Sequence, residues 1–148
     1  MKKQALKVFS LLSLSVMLAV VSVYANPTGS IKANIPFDFS VGDKTLPAGA
    51  YTVAASTTPD VLLIRREDCR AAAMVVALRM PTEQGEDQTK LIFHRYGDQY
   101  FLAQVWSTGD SGVRELPKSR TEREMIKSRS KRLARNAVEP EVVYIVAQ

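Results

Sequence analysis

Apolar and polar residues alternate near the start of the chain, and this period of two limits the possible fold more than any other feature. In IKANIPFDFSV, residues 31–41, every odd position is apolar and most even positions are polar. Successive side chains of a β-strand point to opposite faces, so the pattern predicts a strand with one buried face. Pro36 falls on the outward face and lacks a backbone donor, which predicts an edge strand or a bulge at that point.

Turn signals divide the rest of the chain into short segments of the same kind. Gly42 and Asp43 predict one turn, and Pro47 to Gly49 predict a second, because proline presets one backbone angle and glycine is free to take a positive one. The further apolar segments are VLLIRRE, AAAMVVALRM, KLIFHRY, QYFLAQVWST and EVVYIVAQ, with MPTEQGEDQT as a polar loop. About seven or eight short strands predict a mainly β fold, either an antiparallel β-sandwich or a small β-barrel.

Residues 119–136 break the period of two and predict one helix, which a last strand follows. Ser119 with Glu122 three residues later forms a capping box, which satisfies free backbone donors where a helix begins. Ile126, Leu133 and Ala137 make a narrow apolar stripe that would lay the helix on the sheet. A separate face, with Glu124 among its members, carries five basic residues: Arg120, Arg123, Lys127, Lys131 and Arg135.

The basic face of this helix has two interpretations. It is either a solvated surface whose Lys and Arg stems cover apolar neighbours, or a contact site for an anionic partner such as phospholipid, an acidic polysaccharide or a protein. Residues 119–136 carry seven basic and two acidic side chains, a net charge of +5. The segment contains no aromatic residue, which disfavours both membrane insertion and nucleic-acid binding.

The first 25 residues have the features of a cleavable export signal. Lys2, Lys3 and Lys7 precede a mostly apolar run, and the sequence VYA ends at Ala25 with small residues where a signal peptidase cleaves. A membrane anchor is the alternative, but an anchor needs roughly 20 apolar residues, and four serines interrupt this shorter run. We therefore expect Sec-type export to the periplasm or the extracellular space. The mature chain would be one β-rich domain, residues 26–148, without a stable membrane span.

Charge and cysteine usage narrow the interpretation of the mature chain. Removal of the three leader lysines lowers the net charge from +5 to +2, with 17 basic and 15 acidic side chains remaining. Cys69 is the one cysteine of the sequence, so no internal disulfide can form. The thiol is either structural or incidental, or it forms a disulfide with another chain.

The sequence lacks the motifs of common enzyme classes. It contains no HExxH, GxSxG, CxxC, P-loop or GxGxxG pattern, and His94, its one histidine, lies in an apolar strand pattern. We therefore predict no catalytic residue, no metal site and no cofactor. A hydrolase with an unfamiliar site would need His94 to converge with two or more carboxylates.

The aromatic residues in QYFLAQVWST are compatible with a small-ligand site. Strict alternation would send two sets of residues to opposite faces: Tyr100, Leu102, Gln104 and Trp106 to one, and Phe101, Ala103 and Val105 to the other. Both faces are then largely apolar, so the strand either lies centrally, covered on both sides, or lines a cavity. In the second case Tyr100 and Trp106 would form the wall of a cavity for an apolar or aromatic ligand.

Two stretches carry resemblances to known proteins. The Pro-Ala-Gly-x-Tyr pattern of residues 47–51 resembles the hairpins of prealbumin-like and collagen-adhesin-type sandwich domains, which implies that a leucine anchors one side of the turn and that Tyr51 packs beneath it. The blocks IPFDFSVGDKTLPAGAYTV and LPKSRTERE together resemble a set of small exported bacterial proteins of unassigned activity. These resemblances support the fold and imply no chemistry.

Together, these features predict an exported, non-enzymatic module of the envelope or the extracellular space that acts by binding or interaction. The basic helix face is its expected contact site for an anionic partner. The alternative is a β-barrel that binds a small apolar or aromatic ligand, with Tyr100 and Trp106 in its wall.

Overall fold

The computed structural model describes residues 29–58, 60–82, 88–108, 112–132 and 139–148. The predicted signal peptide and residues 133–136 of the predicted helix lie outside these ranges. Over the described residues the chain forms eleven strands and one helix: β1 (Ile31–Ile35), β2 (Phe39–Val41), β3 (Lys44–Leu46), β4 (Gly49–Ala55), β5 (Val61–Arg66), β6 (Ala72–Val76), β7 (Leu78–Pro81), β8 (Lys90–Tyr96), β9 (Gln99–Trp106), β10 (Gly112–Glu115), α1 (Arg120–Arg132) and β11 (Glu141–Val146).

The strands form two sheets that enclose a shared apolar core, which confirms the sandwich rather than the barrel. The first sheet has the order β1-β4-β5-β6 and is antiparallel throughout. The second has the order β11-β8-β9-β10-β7, and β2 joins it beside β9 with β3 on its outer side. The pairing of β2 with β9 is parallel, an exception to the predicted antiparallel pattern. The described residues form eleven strands, whereas the sequence predicts about seven or eight. The difference comes from short strands, since β2, β3, β7 and β10 have only three or four residues each.

The first predicted strand divides between the two sheets at Pro36. Ile31, Ala33 and Ile35 are buried in β1, and Phe39 and Val41 are buried in β2, so the predicted inward face is confirmed on both sides of the break. Proline cannot donate a ladder hydrogen bond, and β1 ends at the residue before it. As predicted, this segment lies at a sheet edge, because β1 is the outermost strand of its sheet.

The segment AAAMVVALRM also divides, at a position that the sequence pattern does not reveal. Ala77 is fully buried, and its backbone N–H donates to the carbonyl of Asp60 at 2.7 Å. The residues before it form β6 in the first sheet, and those after it form β7 in the second. The chain thus passes from one sheet to the other through a single small residue.

Aromatic side chains from both sheets meet at the centre of the core. Tyr51 of the first sheet and Phe93 of the second each make an edge-to-face contact with Phe39, at ring-centroid distances of 5.1 and 5.5 Å. The Tyr51 hydroxyl donates to the carbonyl of Pro47 at 2.6 Å, and Leu46 on the other side of the turn is fully buried. This arrangement agrees with the expectation from the resemblance to sandwich-domain hairpins.

A bulge in β9 overturns the predicted alternation of its side chains. Ile92 lies opposite Gln104 whereas Phe93 lies opposite Leu102, so Ala103 is an extra residue on the β9 side. Leu102 and Val105 both belong to the core cluster, and Tyr100 packs against it. Because neighbouring residues alternate on either side of the bulge, Gln104 and Trp106 point away from the core, whereas Tyr100 and Leu102 point into it.

Candidate functional site

The helix α1 begins where side chains from two parts of the chain satisfy its free backbone donors. Ser119 is the N-cap, and its Oγ accepts a hydrogen bond from the N–H of Glu122 at 3.1 Å. The carboxylate of Asp43, in the turn between β2 and β3, accepts from the N–H of Arg120 at 3.1 Å and lies 3.5 Å from the N–H of Thr121. A negative charge here also interacts favourably with the positive end of the helix dipole. The start of the helix is therefore tied to the second sheet.

Glu122 provides a second attachment of the helix to that sheet. It is the one buried charged residue among those described, with 4% of its surface exposed. Its Oε1 accepts a hydrogen bond from the Tyr96 hydroxyl at 3.1 Å and lies 3.3 Å from Nδ1 of His94. We call Glu122, His94 and Tyr96 the Glu122 cluster. The Ser119 half of the predicted capping box is confirmed, whereas the Glu122 side chain turns to the sheet.

Burial and the neighbouring carboxylate set the protonation of Tyr96. Burial disfavours the charged phenolate, and the charge of Glu122 together with its hydrogen bond disfavours it further, so the pKa of Tyr96 rises to about 12. The phenol therefore remains a hydrogen-bond donor to Glu122 throughout the neutral range. Tyr96 also packs edge-to-face on Phe101, which holds its ring in place.

The underside of α1 is more polar than the predicted apolar stripe. Ile126 is half-buried as expected, whereas Leu133 and Ala137 lie outside the described residues. Glu122 and Arg129 share this underside. The Arg129 guanidinium lies on the turn between β8 and β9, where a Cβ placed on Gly97 would come within 2.6 Å of its Nη2. Gly97 has φ 70°, a left-handed conformation that favours glycine in this turn.

Four of the five predicted basic residues line the solvent side of α1. The side chains of Arg120, Arg123, Lys127 and Lys131 are exposed, and we call these four the basic ridge. Arg120 Nε donates to Glu124 Oε1 at 2.9 Å, and this hydrogen bond raises the pKa of the guanidinium. Arg135, the fifth predicted member, lies outside the described residues. The Glu122 cluster orients the ridge, since it holds the opposite side of the same helix.

The two residues predicted to share a cavity wall lie on opposite faces of β9. Tyr100 stacks on Phe37 at a ring-centroid distance of 3.9 Å on the core side. Trp106 lies on the outer side, where Lys90 Nζ is 4.9 Å from its ring and its Nε1 donates to Gln104 at 3.1 Å. The bulge at Ala103 separates them, because it reverses the alternation between the two positions.

Two further reactive side chains that the sequence singles out, His94 and Cys69, lie in different elements of the described residues. His94 contacts one carboxylate, that of Glu122, where a hydrolytic site would need two or more. Cys69 is exposed in the turn between β5 and β6, with φ 59°. Within the described ranges, no group of three or more His, Cys, Asp and Glu side chains could hold a metal ion.

An open cleft lies at the far end of β9 from the helix. Its volume is about 280 Å³, and its lining includes Ile31, Val53, Leu62, Val105, Ser107 and Arg114. Neither Tyr100 nor Trp106 contributes to this lining. The cleft is at the lower limit of the roughly 300–1,000 Å³ typical of small-molecule sites, and it does not carry a functional assignment.

Sequence reasoning missed two members of the helix attachment. The sequence predicts Asp43 as a turn residue and Tyr96 as an aromatic residue of a strand, with no link from either to the helix. The sequence distances from Asp43 to Arg120 and from Tyr96 to Glu122 are 77 and 26 residues, so no local pattern links either pair. The feature of the sequence that could have indicated this attachment is Glu122, an acidic residue at a helix start.

Comparison with known proteins adds no family assignment. No protein-family model, curated protein or solved structure matches the chain. Along the described ranges, no helix is both long and apolar enough to cross a membrane.

Proposed function

We propose that the chain is an exported, non-enzymatic module of the envelope or the extracellular space that binds an anionic partner through the basic ridge. The observation that carries this proposal is the exposure of Arg123, Lys127 and Lys131 on one side of a helix whose other side is attached to the sheet. A fixed set of cations attracts an anionic surface and orients it on approach. Export is the part of the proposal that rests on residues 1–25 alone.

The fixed geometry of the helix supports the proposal more than its charge does. Exposed lysines and arginines are common, and their positions are usually averaged by side-chain motion. Here Asp43 holds the helix start and the Glu122 cluster holds its first turn, so the backbone positions of the ridge are set by the sheet. A partner then meets a pre-arranged surface, which lowers the entropy cost of binding.

The character of the helix favours an acidic protein or polysaccharide over lipid. An interfacial helix buries Trp, Phe or Leu in the membrane, whereas the described underside of α1 carries Glu122, Met125, Ile126 and Arg129. An export signal also separates the chain from the usual nucleic-acid partners, and no aromatic residue lies among the ridge charges to stack on a base.

The experiment is a quantitative pull-down from envelope extracts with the purified chain and with the variant Lys127→Glu/Lys131→Glu. We expect the variant to lose the partner that the wild type retains, because two attractive charges become repulsive. Wild-type retention should also fall as salt rises, since exposed charges are screened. The matched control is Arg65→Glu/Arg70→Glu, which makes the same change of charge at an exposed residue of β5 and at one of the β5–β6 turn.

The result that would contradict the proposal is equal retention by wild type, ridge variant and control. Loss of retention in both double variants would assign the binding to overall charge and would equally contradict a role for the ridge. Circular dichroism of each variant shows whether it is folded before retention is compared.

The alternative, a barrel that binds a small apolar or aromatic ligand, has less support. The sheets do not close into a barrel, and Tyr100 and Trp106 point to opposite sides of β9. The ridge is therefore the better starting point for experiments.

A further inference from the structure

The last strand, β11, is an exposed apolar edge. It pairs with β8 along one side, and no strand of the described residues pairs with its other side over Glu141–Val146. Val142, Tyr144 and Val146 point outward and are 57, 67 and 52% exposed, whereas Val143 and Ile145 pack against the core. The strand therefore presents apolar side chains together with a row of unpaired backbone groups.

The other sheet edges carry features that block pairing with another chain. β1 has Lys32 and Asn34 on its outward face and Pro36 at its end. β7 contains Arg79 and ends at Pro81. The edge of β6 is covered at Ala72, whose carbonyl accepts a hydrogen bond from Lys44 Nζ at 2.6 Å. Charged residues, proline and covering groups are the usual protections of an edge strand.

β11 has none of these protections between Val142 and Val146. The run VVYIV contains no charge, proline or glycine, and all five residues favour strand conformation. An edge of this kind recruits another strand, either in a defined assembly or in aggregation. Left uncovered, such an edge is a predicted aggregation site.

We propose that β11 pairs antiparallel with β11 of a second copy of the chain, across a two-fold axis, so that the second sheets of two molecules become one continuous sheet. This proposal goes beyond the binding function of the basic ridge and does not depend on it. Strand addition at a sheet edge is an established mode of association, in which backbone hydrogen bonds supply affinity and side chains supply register.

The free part of the edge selects the register of this pairing. Beyond Val146 the edge is occupied, because Gln148 and Lys32 exchange two backbone hydrogen bonds at 2.7 and 2.9 Å. Before Val142 the chain contains Pro140, which cannot donate to a ladder. The Ala147 N–H donates to Thr89 on the β8 side, and backbone groups alternate in direction along a strand, so those of Val142, Tyr144 and Val146 face the free edge, with Tyr144 at the midpoint.

Centring the two-fold axis on Tyr144 makes the strand complementary to itself. Directly opposite residues of an antiparallel pair lie on the same face of a sheet. Tyr144 then meets its own counterpart and Val142 meets Val146, all on the outward face. Val143 meets Ile145 on the core side.

Charge complementarity at both ends of the paired strands favours a second copy as the occupant. Glu139 precedes the strand and Glu141, which also pairs with Arg95 at 3.2 Å, begins it, whereas Lys32 lies beside its far end, next to Gln148. Antiparallel pairing brings the acidic end of one copy to the basic end of the other. The two-fold axis repeats this match at the opposite end.

The first test is the mass of the purified chain in solution, by light scattering or sedimentation. We expect twice the mass of one chain for the wild type, and one chain mass for Val142→Lys/Tyr144→Lys, because lysines on an edge prevent pairing. The matched control is Met74→Lys/Val76→Lys, which changes two equally exposed apolar residues of β6. We expect the control to remain a dimer.

The second test measures the register by disulfide cross-linking in a Cys69→Ser background. Opposed Cα atoms in an antiparallel pair are about 4.5–5.5 Å apart, within the range of a disulfide, so Tyr144→Cys should cross-link to its counterpart on oxidation. Val142→Cys should not, because the two copies of residue 142 would be about 14 Å apart along the strands. Adding Val146→Cys to Val142→Cys should restore cross-linking.

Three results would each overturn the proposal. The first is a wild type that keeps the mass of one chain up to its solubility limit. In that case β11 would be free to pair only with a strand of a different protein. The second is a dimer that survives both lysine substitutions in β11. The third is cross-linking of Val142→Cys alone as readily as of Tyr144→Cys.

Discussion

Glu122 makes the buried polar contacts that attach the helix to the sheet. A buried carboxylate is costly unless hydrogen bonds and opposite partial charges compensate for its lost hydration. Here it accepts from Tyr96, lies beside His94 and occupies the first turn of α1, where the helix dipole favours a negative charge. Burial of the Glu122 carboxylate costs solvation free energy, and these contacts offset that cost while they fix the position of the helix on the sheet.

The raised pKa of Tyr96 predicts a loss of stability in alkali. The pKa is 10.0 for an unperturbed tyrosine and about 12 in the folded chain, so the folded state favours the neutral phenol. The stabilisation is then complete below pH 10 and disappears as the pH rises towards 12. We expect wild type to lose more stability over this window than Tyr96→Phe, which cannot ionise there. Urea denaturation at several pH values measures the difference.

Tyr51 serves as the internal reference of that experiment. Burial also raises its pKa, but it is present in both proteins, so its contribution cancels in the comparison. Parallel loss of stability in wild type and Tyr96→Phe would show that the Tyr96 phenol is not held in its neutral form by folding.

At the level of elements, the helix depends on a turn that is far away in sequence. Average helices of this length are marginal in isolation, and tertiary contacts supply most of their stability. For α1 these contacts come from the β2–β3 turn through Asp43, from β8 through the Glu122 cluster and from the β8–β9 turn through Gly97. The helix and the second sheet should therefore unfold together.

Removal of the remote cap should weaken this coupling. We expect Asp43→Ala to lower the free energy of unfolding by about 1 kcal/mol, the usual effect of losing a helix cap, and Asp43→Asn to lower it by less because an acceptor remains. Asp98→Ala removes the same charge from another exposed turn and should change stability by less than about 0.5 kcal/mol. Chemical denaturation measures all three. Equal effects of Asp43→Ala and Asp98→Ala would rule out the capping role.

At the scale of the whole molecule, the two sheets are held together by an apolar interior with aromatic rings at its centre. Phe39 contacts Tyr51 of the first sheet and Phe93 within its own sheet, so it spans the interface between the two layers. The crossings near Pro36 and at Ala77 tie the same layers covalently. The interior rather than any single element thus sets the stability of the molecule.

Truncation of Phe39 should be the most damaging single change in this interior. We expect Phe39→Ala to lower the free energy of unfolding by about 3–5 kcal/mol, because it removes a large buried side chain and leaves a cavity between the sheets. Met74→Ala, at an apolar residue that is 66% exposed, should have little effect. Thermal or urea denaturation distinguishes the two. A small effect of Phe39→Ala would mean that the two sheets move together and fill the cavity, which would contradict this prediction.

The amino-acid sequence by itself determined the features that depend on local geometry. Alternation placed Phe39, Tyr51 and Val53 inside, and Ser119 marked the helix start. Helical spacing alone predicted the four described members of the basic ridge, because their common face follows from the rotation per residue. Tertiary structure decided which sheet each half of a strand joins, where the bulge at Ala103 falls and what Asp43 and Glu122 contact. These outcomes depend on contacts between residues distant in the chain, about which a local period carries no information.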